Sequence, residues 1–415
     1  MGMKTILKNI KFLVQAGEDI PEIKRGSQMS HLHVIQDAYL ILQDKKVIDY
    51  GPMSSLSTQE LDTLGLDTNC IDAEGRAVLP AFVDSHTHAV FAQYREEEFE
   101  QRLKGLSYEE IASKGGGILN SAEKLGRCTE DELFEFAKIR IENMVSSGTG
   151  ALEIKSGYGL TVEAELKMLR VIQRLKSVFS IPIKSTFLGA HAFPKKYKDN
   201  HSAYIRSITD EMLPQIEKEG LADFIDVFCE KNYFSVQEME EIVLAGIKQG
   251  LRPKLHLNQF NCLGGIQKAV QLKALSVDHL EHVTNEDLLA LKNSNTIPVF
   301  LPGCSHFLNI PYGDARLFIE RGLPFALASD YNPGSSPNYD LFQILSLACI
   351  KMRLTPEEAI NALTVNAAYA MDVSQSHGRI RKYASTPLIM TKKIPSLAYL
   401  PYSFGENHVE RMLNL

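Results

Sequence analysis

The sequence predicts an α/β protein in which residues 76–374 form a closed parallel (β/α)8 barrel of the TIM type, and residues 1–75 with 375–415 form a small β-sandwich domain. Three features carry this expectation. Eight short apolar, β-prone runs separated by longer amphipathic stretches lie between Val78 and Asp330, and eight strands with following helices in about 250 residues are what a closed barrel demands. The residues before Gly75 have a different rhythm, alternating apolar and polar positions in short runs, as antiparallel strands do. The residues after 375 return to short apolar runs that can rejoin those strands.

In chain order, "TILKNIKFLV" and "AYLILQDKKVIDYGP" read as strands, with Gln43, Asp44, Lys45 and Lys46 making a hairpin turn and Gly51-Pro52 closing the unit. The start "MGMKTILKNIKFLVQAGEDI" has its apolar run broken by lysines, so it reads as a strand and not a signal peptide. The barrel strands are expected at 77–86, 149–157, 181–191, 222–230, 252–259, 275–282, 296–303 and 323–330. Apolar positions three and four apart predict helices over 160–178, 236–250 and 285–295. No Gly-x-Gly-x-x-Gly follows the first barrel strand, which disfavours an open doubly wound sheet. "KGGGI" (114–118) reads as a flexible loop near a site. Two more helices follow Asp330, the second running through "TPEEAINALTVNAAYAM" with Thr355 as its cap and Pro356 in its first turn. At the end of the chain, "PLIMTKK" and "SLAYLPYSF" are the runs expected to complete the small domain.

Composition narrows the function. The chain has 415 residues, 44% of them hydrophobic and 23% charged, and a formal net charge of −7. That is an ordinary soluble globular composition, and its sign argues against nucleic acid or an anionic membrane surface as the main partner. No window approaches 18 uninterrupted apolar residues, so no membrane span is expected. The six cysteines are far apart and form no Cys-x-x-Cys pair, which suits reduced thiols in a cytoplasmic enzyme better than a disulfide framework.

Barrel chemistry sits at the C-terminal ends of the strands. The ionisable residues expected there are His86 and His88, Lys155, His191, Cys229 and Glu230, His256, His279 and Asp330. Residues i and i+2 of a strand share a side, so His86 and His88 can both face the mouth. With His256 and Asp330 from across the ring they make three imidazoles and a carboxylate around one point, a set suited to Zn²⁺ or a similar borderline metal with a position left for water. Asp84 shares their side but lies two residues deeper, where it is expected to support the barrel interior. His201 and His282 read as surface residues, and His306 is undecided.

These motifs resemble the metal-dependent amidohydrolase superfamily through "PAFVDSHTH", the histidines of the fifth and sixth barrel strands and "ASD". Within it the chain is similar to the imidazolonepropionase family, through "REEEFEQRLKG" (95–105), "GGGI" (115–118), "EIKSGYGL" (153–160), "FLGAHAFP" (187–194), "DVFCE" (226–230), "DHLEH" (278–282), "LPG" (301–303) and "DYNPGSSP" (330–337). The resemblance implies one Zn²⁺ or Fe³⁺ per subunit held by His86, His88, His256 and Asp330. It also implies substrate contacts from Arg95, Tyr158, His191, Asn332, Gly334 and Ser335, and a homodimer. The reaction implied is hydrolysis of 4-imidazolone-5-propanoate to N-formimidoyl-L-glutamate.

In that chemistry Asp330 is placed to move the proton of a metal-activated water, and His279 to donate to the substrate carbonyl as negative charge develops there. Arg95 offers a fork for the propanoate carboxylate. Gln259 stands where many deaminases of the superfamily carry a glutamate, and an amide can only hydrogen-bond and orient. The barrel strand expected at 222–230 has no lysine at its end to bridge two metals, which favours one. The stretch 377–390 follows the family pattern only loosely. The alternatives are another cyclic-amide hydrolase or deaminase, and a barrel that binds a carboxylated ligand without turnover.

Overall fold

The computed structural model describes residues 4–56, 68–106, 110–111 and 115–415. Strands β1 (Lys4–Val14), β2 (Val34–Gln43), β3 (Lys46–Pro52), β4 (Thr68–Asp72) and β5 (Ala77–Pro80) come first. They are joined from the far end of the chain by β14 (Leu388–Thr391) and β15 (Val409–Leu413). Together they form one mixed sheet in the order β15-β14-β5-β1-β2-β3, with β4 also on β1. Asp44 and Lys45 both have positive φ, 50° and 63°, the conformation of the two-residue turn expected between β2 and β3. Leu7, Leu40, Leu42 and Val78 pack on one side of this sheet, and Ile6, Tyr39 and Ile41 form a separate small cluster.

The second sheet has eight parallel strands: β6 (Phe82–Asp84), β7 (Thr149–Lys155), β8 (Ile183–Ala190), β9 (Phe224–Cys229), β10 (Arg252–Leu257), β11 (Ser276–His279), β12 (Ile297–Phe300) and β13 (Ala326–Leu327). They pair in sequence order, and just past the strand ends the ring closes. Asp330 N donates to His86 O at 3.1 Å and His88 N to Tyr331 O at 2.8 Å. The buried Asp84 carboxylate, whose affinity for a proton burial pushes up to about 7, ties the same seam by accepting from Ser329 N at 3.0 Å and Ser329 Oγ at 2.5 Å.

Three elements depart from the sequence expectation. The run 77–86 is two strands, because Ala81 N turns to donate to Pro387 O at 2.8 Å and passes the chain from one sheet to the other. His86 and His88 therefore lie beyond β6, in a segment pinned by Lys155 N donating to Thr87 O at 2.9 Å. The helix expected through 355–371 starts at the Thr355–Glu358 capping box but breaks at Thr364 into Pro356–Leu363 and Val365–Ala370. There the Thr364 hydroxyl donates to Ile360 O at 2.6 Å, the local bond by which threonine competes with a helix ladder. In "SLAYLPYSF", Tyr399–Tyr402 is helical, and the final strand comes from "VERML" instead.

The helices over Val162–Val178, Val236–Lys248 and Asn285–Lys292 match their expected spans, each with a threonine or serine side chain accepting from its first turn. The cysteines are all free, as expected.

Candidate metal centre and substrate pocket

The strand ends bring four of the expected residues to one point. His86 Nε2 and His88 Nε2 each lie 3.5 Å from Asp330 Oδ1, and the His256 ring centroid is 4.4 Å from that of His86. Donor atoms of His86, His88 and Asp330 lie within 4.8 Å of one another, as do those of His86, His256 and His279. The backbone carries strain here. His279 has φ +88° and Asp330 has φ +51°, left-handed values that non-glycine residues rarely adopt and that cluster at functional sites.

Two carboxylates fix the imidazoles from below. His86 Nδ1 donates to Asp278 Oδ2 at 2.7 Å, and His256 Nδ1 donates to Asp226 Oδ2 at 2.7 Å. Each bond commits Nδ1 as the protonated nitrogen and leaves Nε2 with its lone pair aimed at the mouth, the arrangement by which buried acids orient metal-binding histidines. His86 Nε2 is buried and has no hydrogen-bond partner. Burial pushes His86, His88 and His256 well below the ordinary histidine value, so all three stand neutral. Neutral imidazoles with an unspent buried lone pair beside a carboxylate fit a cation such as zinc.

Beneath them lies a group that the sequence reading did not single out as a unit. Lys155 Nζ sits 2.7 Å from Glu153 Oε1, 2.9 Å from Asp226 Oδ2 and 3.6 Å from Asp278 Oδ2, all with 0% side-chain exposure. Lys254 Nζ lies 3.0 Å from Glu153 Oε2. Burial works against the Lys155 charge, but Asp226, Glu153 and Asp278 outweigh it and hold the ammonium above its usual value. The sequence did carry a signal: each of these residues interrupts an otherwise apolar barrel strand ("ALEIK", "FIDVFC", "RPKLHL", "SVDH"). No hydrophobic pattern explains an ionisable residue at such a position.

Above the cluster is a pocket with about 370 Å³ of empty space, counting the solvent at its mouth. His88, Arg95, Tyr158, His191, His256, Gln259, His279, Asp330, Asn332 and Ser335 line it, together with Ile118 and Phe228, which were not anticipated. His86 and Gly334 do not. Gly334 instead makes room for Arg95: a Cβ there would fall 1.7 Å from Arg95 Nη2. The guanidinium therefore lies flat on the 330–337 loop, whose Pro333 O accepts from Arg95 N at 2.9 Å. Arg95 is buried, with Nε 3.7 Å from Glu98 Oε2. Glu98 Oε1 in turn accepts from Gly117 N and Asn120 Nδ2, both at 2.9 Å, and so anchors the "GGGI" loop beside the pocket; Lys114 of that motif lies outside the described residues.

Asn332 lines the cavity, yet its amide is spent inside its own loop. Nδ2 donates to Asp330 O and Ser335 Oγ at 2.7 and 2.8 Å, and Oδ1 accepts from Gly334 N and Ser335 N at 2.9 and 2.7 Å. His191 stacks on His88 with an interplanar angle of 12°, and its Nδ1 meets Gly157 O at 3.0 Å. Gly157 has φ +106°, and a Cβ there would come 2.8 Å from that nitrogen. Burial lowers His191 to about 4, so its ring is neutral. His279 differs: burial opposes its charge, but Glu281 overcomes this and raises its affinity for a proton. Gln259 Nε2 reaches Cys304 Sγ at 3.4 Å. His201 and His306 bond Glu238 and Tyr312, outside the pocket lining, and His282 is half-buried outside it.

Comparison with known proteins places this geometry. No family model matches the chain. It is 53% identical over 411 residues to the imidazolonepropionase of Flavobacterium johnsoniae, covering 99% of this chain and 98% of that protein. To the imidazolonepropionase of Alkaliphilus oremlandii it is 40% identical, covering 100% of this chain and 97% of the relative. Among solved structures it resembles E. coli guanine deaminase, with a TM-score of 0.73 at 12% identity over 99% of this chain and 97% of that one. It also resembles an adenosine deaminase from Xanthomonas campestris with bound zinc, with a TM-score of 0.66 at 12% identity over 98% and 90% of the two chains. The deaminases share the fold, whereas the full-length identity to the relatives is far above what a shared fold requires, and the chain belongs to the imidazolonepropionase family.

Proposed function

We propose that this chain hydrolyses 4-imidazolone-5-propanoate to N-formimidoyl-L-glutamate in histidine breakdown, with His86, His88, His256 and Asp330 holding one metal ion. The observation that carries the reading is the convergence of neutral, carboxylate-oriented imidazoles and Asp330 beneath a cavity with a buried guanidinium at its side. A Zn²⁺ or Fe³⁺ ion in that set supplies Lewis acidity and a water that ionises near neutral pH. Either ion fits three histidines and an aspartate; the zinc in the X. campestris deaminase favours Zn²⁺.

The residues divide the remaining work. Arg95 holds the propanoate carboxylate in its rigid fork, and Tyr158, His191 and Ser335 close around the ring. Asn332 shapes the 330–335 turn, and Gly334 leaves the space in which the Arg95 guanidinium sits. Asp330 takes a proton from the attacking water at its carboxylate and returns it to the ring nitrogen as the carbon–nitrogen bond breaks. His279, whose affinity for a proton Glu281 raises, donates to the carbonyl oxygen as negative charge builds there. Gln259 orients the substrate and has no proton to exchange, which disfavours deamination. The former ring carbonyl leaves as the new carboxylate.

The barrel of residues 76–374 supplies the site, and residues 1–75 with 375–415 form the small domain, whose sheet also takes in Ala77–Pro80. The enzyme works in the cytoplasm as a homodimer, as the family resemblance implies; among the described residues no helix is long and apolar enough to cross a membrane. The test is to follow the ultraviolet absorbance of imidazolonepropanoate with metal-loaded protein. A metal-dependent decay that disappears in His86→Ala supports the reading, and full activity in that variant overturns it.

A further inference from the structure

We propose that His279, Glu281 and Cys304 form a second cation site, for a thiophilic divalent ion such as Zn²⁺ or Cd²⁺, beside the first centre. One donor atom from each lies within 4.8 Å of the other two, and all three residues are buried. His279 ends β11, Glu281 follows it by two residues, and Cys304 comes from the helix Pro302–Leu308 that follows β12. Glu281 Oε1 lies 3.4 Å from His279 Nδ1 and accepts from Ser305 Oγ at 3.2 Å. Its other oxygen, Oε2, is buried without a hydrogen-bond partner on a side chain only 1% exposed.

A desolvated carboxylate oxygen left unpaired is costly, and a cation between the three groups removes that cost. Imidazole, carboxylate and thiolate are the donor types of zinc sites, and three protein ligands leave a fourth position open. None of the three belongs to the set His86, His88, His256 and Asp330. The charges balance: the ion displaces the Cys304 thiol proton and the His279 Nδ1 proton to solvent, and its two positive charges face one carboxylate and one thiolate. Occupancy draws the His279 ring toward Glu281 and Cys304 and away from the substrate pocket it lines, so turnover falls. This consequence, unlike the binding itself, rests on the role given to His279 above.

The experiment starts from protein carrying one equivalent of Zn²⁺ and titrates it with Cd²⁺, reading bound metal, the ultraviolet thiolate-to-cadmium charge-transfer band and turnover. One further equivalent is expected to bind, with the band rising and turnover falling in step. Cys304→Ser is expected to abolish the band and weaken the second equivalent by about tenfold or more. Cys262→Ser, which removes an exposed thiol, leaves both intact. Glu281→Gln is expected to weaken the second equivalent similarly and carries the test if Cys304→Ser fails to fold, which circular dichroism of the one-zinc form reveals. Absence of a second equivalent in the unaltered protein, or an undiminished band in Cys304→Ser, overturns the proposal. A Cys304-dependent band with unchanged turnover supports the site and overturns the role assigned to His279.

Discussion

Replacing Lys155 by methionine keeps the volume of the side chain and deletes the ammonium that faces Glu153, Asp226 and Asp278 at 2.7, 2.9 and 3.6 Å. Lys254 still answers Glu153 at 3.0 Å, so the uncompensated charge falls on Asp226 and Asp278, both buried beyond reach of water. Breaking a buried ion pair from one side costs about 3–5 kcal/mol, and the loss should appear as a lower denaturant midpoint of the metal-free protein. Because the Lys155 ammonium is held above its ordinary value of 10.5, its contribution is fully present below pH 10.5 and fades only as pH rises beyond it; the deficit should therefore be flat across neutral pH. The same two aspartates aim His86 and His256, so their relaxation should also weaken metal binding by about 10–100-fold in a chelator competition. Lys254→Met supplies the contrast. It removes one of the two ammoniums that face Glu153 and touches neither histidine-orienting aspartate, so stability should fall while metal affinity holds. A Lys155→Met protein with metal affinity equal to that of Lys254→Met would falsify the idea that this ammonium sets the histidines through Asp226 and Asp278.

Arg95→Ala should raise KM by roughly 10–100-fold, the worth of a charge-assisted contact to a carboxylate, with metal content unchanged; lost metal would move Arg95 to a different role. Gly334→Ala should show the same KM defect, because its Cβ displaces the Arg95 guanidinium; unchanged KM would mean that the guanidinium position is immaterial. Removing the metal with a chelator should abolish turnover while leaving far-ultraviolet circular dichroism intact, since Asp226, Asp278 and Lys155 hold the histidines without it, and Zn²⁺ should restore activity. Thr355→Ala should cost about 1 kcal/mol in a denaturation midpoint, the usual worth of a helix cap, with kinetic constants unaltered.

The periodicities were enough to read the parallel sheet and part of the mixed one from the sequence, because a parallel strand buried on both faces is a short apolar run and a solvent-side helix repeats every three to four residues. The strand-end histidines, Asp330 and the two-residue turn at Asp44 and Lys45 were legible for the same reason, since each depends on local spacing. The passage of the chain at Ala81 from one sheet to the other was not, because Pro387, which accepts its amide, lies more than three hundred residues away. Nor was the break at Thr364, in a segment whose apolar spacing continues unbroken through 355–371.

What the sequence determined by itself was the inventory: a barrel, a set of imidazoles and carboxylates at its strand ends, and a guanidinium shortly after the first pair. Only the tertiary structure decided which nitrogen of each histidine is free, that Lys155 belongs under the site as a counter-charge, that Gly334 exists to seat Arg95, and that Cys304 stands beside His279 and Glu281. Those facts depend on distances of a few ångströms between residues tens to hundreds of positions apart. Electrostatic and steric energies vary steeply over such distances, whereas sequence spacing records only the order in which the residues arrive.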